Sequence, residues 1–285
     1  AASGGVWKSE NGGSSWKPIF DEQPTQNIGA IAIQQSDPKV IWVGTGEGNP
    51  RNSMNLGMGI FKSEDSGQTW KHMGLTETKP QTIAWQITRE ITRAVEANIL
   101  STGSTLVWLA ELLGTTPDEL AQLAPESTQQ VEIVPAFNGL GAPWWDREAT
   151  GIIAGLTRGS SRADLAAAAL RSTAAQINDV LEDFARSNIK IDTLYADGGG
   201  ARNKYLMQML ADLSGKQIKS SQLLELSAFG AAMVAALGAG LTTIADIEKI
   251  ELKYDEFVPV STEPERQESL KTWRKALAAS RMKSQ

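Results

Sequence analysis

The chain has 285 residues and a formal net charge of −6, from 27 Lys plus Arg against 33 Asp plus Glu. With 41% hydrophobic and 21% charged residues it can bury a core, which excludes global disorder, and its acidity argues against a nucleic-acid or anionic-membrane surface. It has no cysteine and one histidine, His72, which excludes disulfides, thiol nucleophiles and a histidine-rich zinc site and leaves little room for a Ser-His-Asp triad.

No apolar run approaches the roughly 18 residues of a spanning helix, so a soluble, cytoplasmic protein is expected. Composition changes near residue 75. Residues 1–75 hold 12 of the 26 glycines, four of the nine tryptophans and two leucines, whereas the remaining 210 hold 24 leucines. Glycine- and tryptophan-rich sequence with short apolar runs predicts β-hairpins; Leu/Ala-rich sequence at helical spacing predicts α/β structure. The polar stretch from Gly74 to Pro80 marks the junction, giving a β module over 1–75, a linker at 76–80 and a second domain over 81–285.

The first module repeats itself. Gly5-Val6-Trp7-Lys8-Ser9-Glu10-Asn11-Gly12-Gly13-Ser14-Ser15-Trp16 returns 54 residues later as Gly59-Ile60-Phe61-Lys62-Ser63-Glu64-Asp65-Ser66-Gly67-Gln68-Thr69-Trp70, a period typical of blade or array architectures. Each copy predicts a hairpin: an apolar strand, a turn built on Asn or Asp with Gly, and a Trp on the return strand that covers it. Ile28–Ile33 and Val40–Val43 predict two further strands.

These hairpins resemble the Asp-box, or BNR, repeat S-x-D-x-G-x-x-W of sialidase-like β-propellers. Ser63, Asp65, Gly67 and Trp70 fit it fully, while the first copy carries Asn11 in place of the aspartate. The resemblance implies about one and a half blades, where roughly four to eight close a propeller, and assigns Asp65 and Asn11 to turn chemistry.

From residue 80 the pattern changes. Thr82–Gln86 and Ile91–Glu96 predict paired strands, and Ser104–Leu113 a helix. Val131–Pro135 and Gly151–Gly155 predict strands. Asp164–Asn188 predicts a long helix with Leu170, Ala174, Ile177, Leu181 and Phe184 on one face, and Ile189–Ala196 a strand. Asp197-Gly198-Gly199-Gly200-Ala201-Arg202-Asn203 then leads into a helix bearing Leu206, Leu210 and Leu213. A glycine turn between strand and helix lets backbone amides and the helix dipole meet an anion; it serves equally as a plain tight turn, and Asp197 equally as a cap. Ala228–Gly240, rich in Ala and Gly, predicts a helix packed closely on the sheet. Leu270, Trp273 and Leu277 mark a terminal helix.

Residues from about 80 onward resemble the C-terminal domain of the FGGY carbohydrate kinases. Thr82–Gln86, Glu96–Gly103 with Trp108, the run Val134-Pro135-Ala136-Phe137-Asn138-Gly139-Leu140-Gly141-Ala142-Pro143-Trp144-Trp145-Asp146, Gly155-Leu156-Thr157-Arg158-Gly159, the glycine turn, and Ser227–Ala232 carry the match. The resemblance implies half of an actin-like, ribonuclease-H-like ATPase core, from a family that transfers the γ-phosphoryl of ATP, with Mg, to a sugar or polyol hydroxyl. It places Gly103 and Gly199 at the nucleotide phosphates and Asn203 nearer the adenosine, with Gly198 and Gly200 shaping the turn. Val107 stands where the family often offers a glutamine. The loop Pro135–Asp146 is structural.

Nothing before residue 80 resembles the family's other domain, with its D-x-G-T phosphate loop, sugar-binding residues and catalytic aspartate. The expected function is therefore a nucleotide-binding kinase fragment that is not competent alone, with no catalytic or metal-ligating residue assigned. Its expected partners are nucleotide and carbohydrate, with neither nucleic acid nor membrane, and a homo-oligomer formed through exposed edges. A glycoside hydrolase or sugar-binding module using Glu47 or Asp65 is the alternative, as is a self-associating chimera without catalysis.

Overall fold

A computed structural model describes residues 4–46, 58–73, 81–85 and 92–282. Glu47 and the expected junction at 74–80 lie outside the described residues. Contacts divide the chain into two compact units, Ala1–Ala97 and Asn98–Gln285.

The first unit is antiparallel. β1 (Trp7–Lys8) pairs with β2 (Lys17–Pro18), and β3 (Ile28–Ile33), β4 (Ile41–Thr45), β5 (Ile60–Ser63) and β6 (Lys71–His72) form one four-stranded sheet in chain order. β7 (Gln81–Trp85) and β8 (Thr92–Val95) form a separate hairpin. Ile31 lies opposite Val43, and Val43 opposite Phe61, so directly paired residues share one face. That face buries Ile41, Val43 and Phe61 against Val6, Phe20 and Ile28. It stays open over β3, where Ile31 and Ile33 are exposed. These are small open sheets, and no propeller closes among the described residues, because a blade needs neighbours on both faces.

In the second unit, α1 (Gly103–Leu113), α2 (Pro117–Leu123) and the β9 (Glu132–Val134)–β10 (Ile152–Ala154) hairpin surround α3 (Arg162–Arg186). Then come β11 (Thr193–Ala196), α4 (Lys204–Ser214), β12 (Gln217–Ser221), α5 (Leu226–Gly238), α6 (Ile244–Ile247), β13 (Tyr254–Phe257) and α7 (Glu263–Ser280). β11 and β12 are parallel, crossing over through α4, and β13 adds antiparallel to β12.

Helix α3 starts because Ser161 caps it: the Ser161 hydroxyl accepts the Asp164 N–H while the Asp164 carboxylate accepts the Ser161 N–H at 2.8 Å. Asp164 also accepts from the Thr128 and Gln129 amides, both at 2.8 Å, which pins the preceding loop to the helix. The buried face of α3 is broader than the predicted stripe. It takes in Ala166–Leu170, Ala174 and Leu181, but also Gln176, Asn178 and Asp179. Gln176 is satisfied by the Ser101 carbonyl at 2.9 Å, as a buried amide requires. Leu206, Met207, Leu210 and Leu213 of α4, Ile218 of β12, and Leu270, Trp273 and Leu277 of α7 complete the core.

Helix α5 departs from expectation. It forms, but none of its residues is buried; only Leu226, Phe229, Met233, Ala236 and Leu237 are half-covered. Its small residues permit close approach, yet none of them is buried.

Candidate functional site

The glycine turn joins the end of β11 to the start of α4. Residues Gly199–Arg202 make a short 3₁₀ turn and Asn203 caps α4, its Oδ1 accepting the Leu206 N–H at 2.9 Å. That bond uses the oxygen of Asn203, a half-buried residue whose amide –NH₂ can act only as a donor. Ala201 is buried, and its carbonyl accepts the Ser220 hydroxyl at 2.7 Å, so β12 holds the turn from below. Asp197, Gly198, Gly199 and Gly200 are all exposed. The amides that open a helical turn have no acceptor within it, and here the residues that carry them are exposed.

The glycines are not equivalent. Gly198 has φ 89° and ψ −176°, a region essentially restricted to glycine, so the chain needs it for its own path. Gly199 has no such constraint, and a Cβ built on it meets nothing within 4 Å. A Cβ on Gly200 makes only an ordinary contact with Leu206 Cδ2 at 3.7 Å. Gly103 repeats the pattern of Gly199: it is the first residue of α1, and a Cβ there also meets open space. Both glycines are therefore unexplained by packing within the chain.

Gly198, Gly199, Gly200 and Asn203 stand together in one turn, and Gly103 begins a different helix of the same unit. Val107, on α1, is exposed. The turn lines neither of two cavities of about 260 and 270 Å³, which adjoin at Arg171, Tyr205 and Met209; it lies open on the surface.

The Pro135–Asp146 loop is a brace. The Ala142 N–H donates to the Asn98 carbonyl at 2.8 Å, and a Cβ on Gly141 would stand 2.2 Å from that same oxygen. Phe137 packs on Trp108 of α1 at 4.9 Å, and the Trp144 indole donates to Asp179.

Comparison with known proteins gives the family of the chain. The model of the "FGGY family of carbohydrate kinases, C-terminal domain" matches residues 66–239. The chain belongs to the FGGY carbohydrate kinase family.

Among curated relatives of the FGGY chain, a glycerol kinase of Lactobacillus delbrueckii is 40% identical over 207 residues, covering 70% of this chain and 41% of that protein. One from Sulfolobus acidocaldarius is 36% identical over 262 residues, covering 90% and 49%. The chain thus spans less than half the length of these relatives. Among solved structures, Plasmodium falciparum glycerol kinase with ADP superposes with TM-score 0.67 at 22% identity, over 86% of this chain and 46% of that one. A xylulose kinase of Lactobacillus acidophilus gives 0.59 at 18% identity, over 85% and 46%. These likenesses establish the fold as that of the FGGY sugar kinases, an actin-like, ribonuclease-H-like α/β architecture.

Two residues of the FGGY unit escaped sequence reasoning. Ser220, which anchors the glycine turn, lies on a short polar strand whose residues are half-buried and buried by turns only once folded. Asp179, which gathers two indole donors, left no local signal.

Proposed function

We propose that the second unit is the nucleotide-binding half of an ATP-dependent sugar or polyol kinase. The observation that carries this reading is the pair of glycines, Gly199 and Gly103, that face open space without any conformational need for glycine, in a chain of the FGGY family. Gly199 and Gly103 would admit the nucleotide phosphates, the Asn203 –NH₂ would donate toward the adenosine end, and Gly198 and Gly200 would keep the turn in shape. MgATP, when bound, supplies the transferable γ-phosphoryl group; the residues of this unit hold and orient it.

Phosphoryl transfer depends on positioning and charge stabilisation across a closed cleft. The matched segment of the chain offers one wall. Acceptor binding and removal of the acceptor proton belong to the part of the family that this chain does not match, so it binds nucleotide without turning over a carbohydrate. The unburied helix α5, apolar apart from Ser227, supports this reading as a surface that a further wall would cover. Such a protein works in the cytoplasm, where its nucleotide is supplied.

We read the first unit as an Asp-box fragment, on the strength of its repeated hairpins. A hydrolase centred on Asp65 is disfavoured by that residue's bonds. Its carboxylate accepts the Thr69 N–H at 2.8 Å, the Thr69 hydroxyl and the Ser63 hydroxyl, and these donors hold it down at about 2, far from a general acid's range.

Calorimetric titration of the full chain with MgATP, beside a coupled glycerol-phosphorylation assay, tests both parts. Binding heat without turnover is expected. Absence of heat overturns nucleotide binding, and turnover overturns the incompetence of the chain alone.

A further inference from the structure

The 54-residue repeat holds down to individual hydrogen bonds. The Ile19 N–H donates to the Val6 carbonyl at 2.9 Å, and Met73 donates to Ile60 at 2.9 Å. Gly13 donates to the Ser9 hydroxyl at 2.7 Å, as Gly67 does to Ser63. Ser15 donates to Asn11 Oδ1 at 2.8 Å, as Thr69 does to Asp65.

The two hairpins meet within the chain. Ile19, at the tail of the first, rests on the turn of the second: a Cβ on Gly67 would stand 2.5 Å from Ile19 Cδ1. Trp70 donates its indole N–H to the Ile19 carbonyl at 2.6 Å and packs edge-on against Phe20 at 4.9 Å. A bare glycine and a tryptophan thus form a socket, and an apolar residue from the neighbouring repeat fills it.

The socket and the filling residue of this interface each recur once more with exposed side chains, while Gly74 takes the place of Phe20. The socket recurs at Gly13 and Trp16. A Cβ on Gly13 meets only its own Trp16, at 3.8 Å; Trp16 is 57% exposed and folds its N–H back onto the Gly13 carbonyl. Trp7, in the place of Phe61, is 51% exposed. The filling residue recurs at Met73, in the place of Ile19, and is 39% exposed. A thioether on an indole is a favourable contact.

We propose that this chain associates head to tail with a second copy of itself, Met73 of one copy seating on the Gly13–Trp16 turn of the next. The contact continues an interface that the chain already makes once, and it uses two different patches, so it is heterologous and leads to rings or open arrays. It is independent of the kinase reading.

Sedimentation of the full chain over a concentration series should show association. Trp16→Ala removes a wall of the socket and Met73→Lys puts a charge on the tail, so each variant alone should stay monomeric while keeping the parent's circular dichroism. Mixed in equal amounts, they should form a dimer and nothing larger, because each retains the end the other lacks. Val234→Asp, on the exposed face of α5, should leave association unchanged. A parent chain that is monomeric at every concentration, single variants that still associate, a mixture that does not pair, or association abolished by Val234→Asp would each overturn the proposal.

Discussion

Trp273, fully buried on α7, donates its indole N–H to Oδ2 of Asp179 on α3 across 2.9 Å. Trp144 donates to the same oxygen at 3.3 Å, so one carboxylate ties the terminal helix and the Pro135–Asp146 brace to the central helix. Burial pushes the Asp179 carboxyl up to about 6, against the pull of the two indoles and of Arg274, with Glu182 adding to the rise.

A pH dependence of unusual sign follows. Because the folded pKa lies above the unfolded value of about 3.9, this group's contribution to stability is full below about pH 4 and is lost as pH rises through 6, by roughly 3 kcal/mol. Asp179→Asn should therefore gain on the parent as pH rises from about 4 to 7. Urea unfolding followed by tryptophan fluorescence measures it, and parallel curves for the two proteins would refute it.

Glu132 and Arg171 form a buried ion pair at 3.0 Å. Arg171 also donates to the Ser269 carbonyl, and Thr272 donates to Glu132, both at 2.6 Å, so the pair clamps α7 onto β9. Removing one partner strands the other charge in the core, and Glu132→Gln should cost about 3–5 kcal/mol. Replacing both by apolar residues should cost far less than the two single changes added, which a double-mutant cycle by thermal unfolding would reveal.

The two hairpin turns predict a contrast within the first unit. Asn11 accepts the Ser15 N–H at 2.8 Å through Oδ1 and donates to the Ser15 hydroxyl at 2.9 Å, doing with an amide what Asp65 does with a carboxylate. Asp65→Asn should preserve the turn, and Asp65→Ala should lower the unfolding temperature of this unit. Asp65 is held below its ordinary pKa, so its contribution is present above about pH 4 and lost as pH falls through 2. That acid limb should vanish in Asp65→Asn.

Gly198 and Gly199 separate conformational need from ligand need. Gly198→Ala forces a side chain into glycine-only backbone space and should cost about 1–3 kcal/mol. Gly199→Ala should change stability by no more than about 0.5 kcal/mol. Equal effects of the two, read by chemical denaturation, would remove the distinction on which the site rests.

Much of the fold was legible because local signals coincide with burial. The 4-3-4-3 spacing of Leu170 to Phe184 gave α3, and the glycines before Leu206 gave the β11–α4 turn. What was missed depends on distant partners. β12 and β13 are short and polar, and they exist because Ile218 meets Phe257 and Ser220 meets Asp255 across long separations. Helix α2 carries a local signal of its own: Thr116 and Glu119 cap each other around Pro117. For α5 the sequence reported small residues but not which surface they face. The site was legible as a turn, and its glycines gained meaning only once the space before each was known.

The most direct measurement is calorimetric binding of ADP to the parent chain and to Gly199→Val at equal stability. The account predicts binding by the parent and its loss in the variant, because a side chain would fill the space the phosphates need. No binding by the parent, or equal affinity in both, would contradict it.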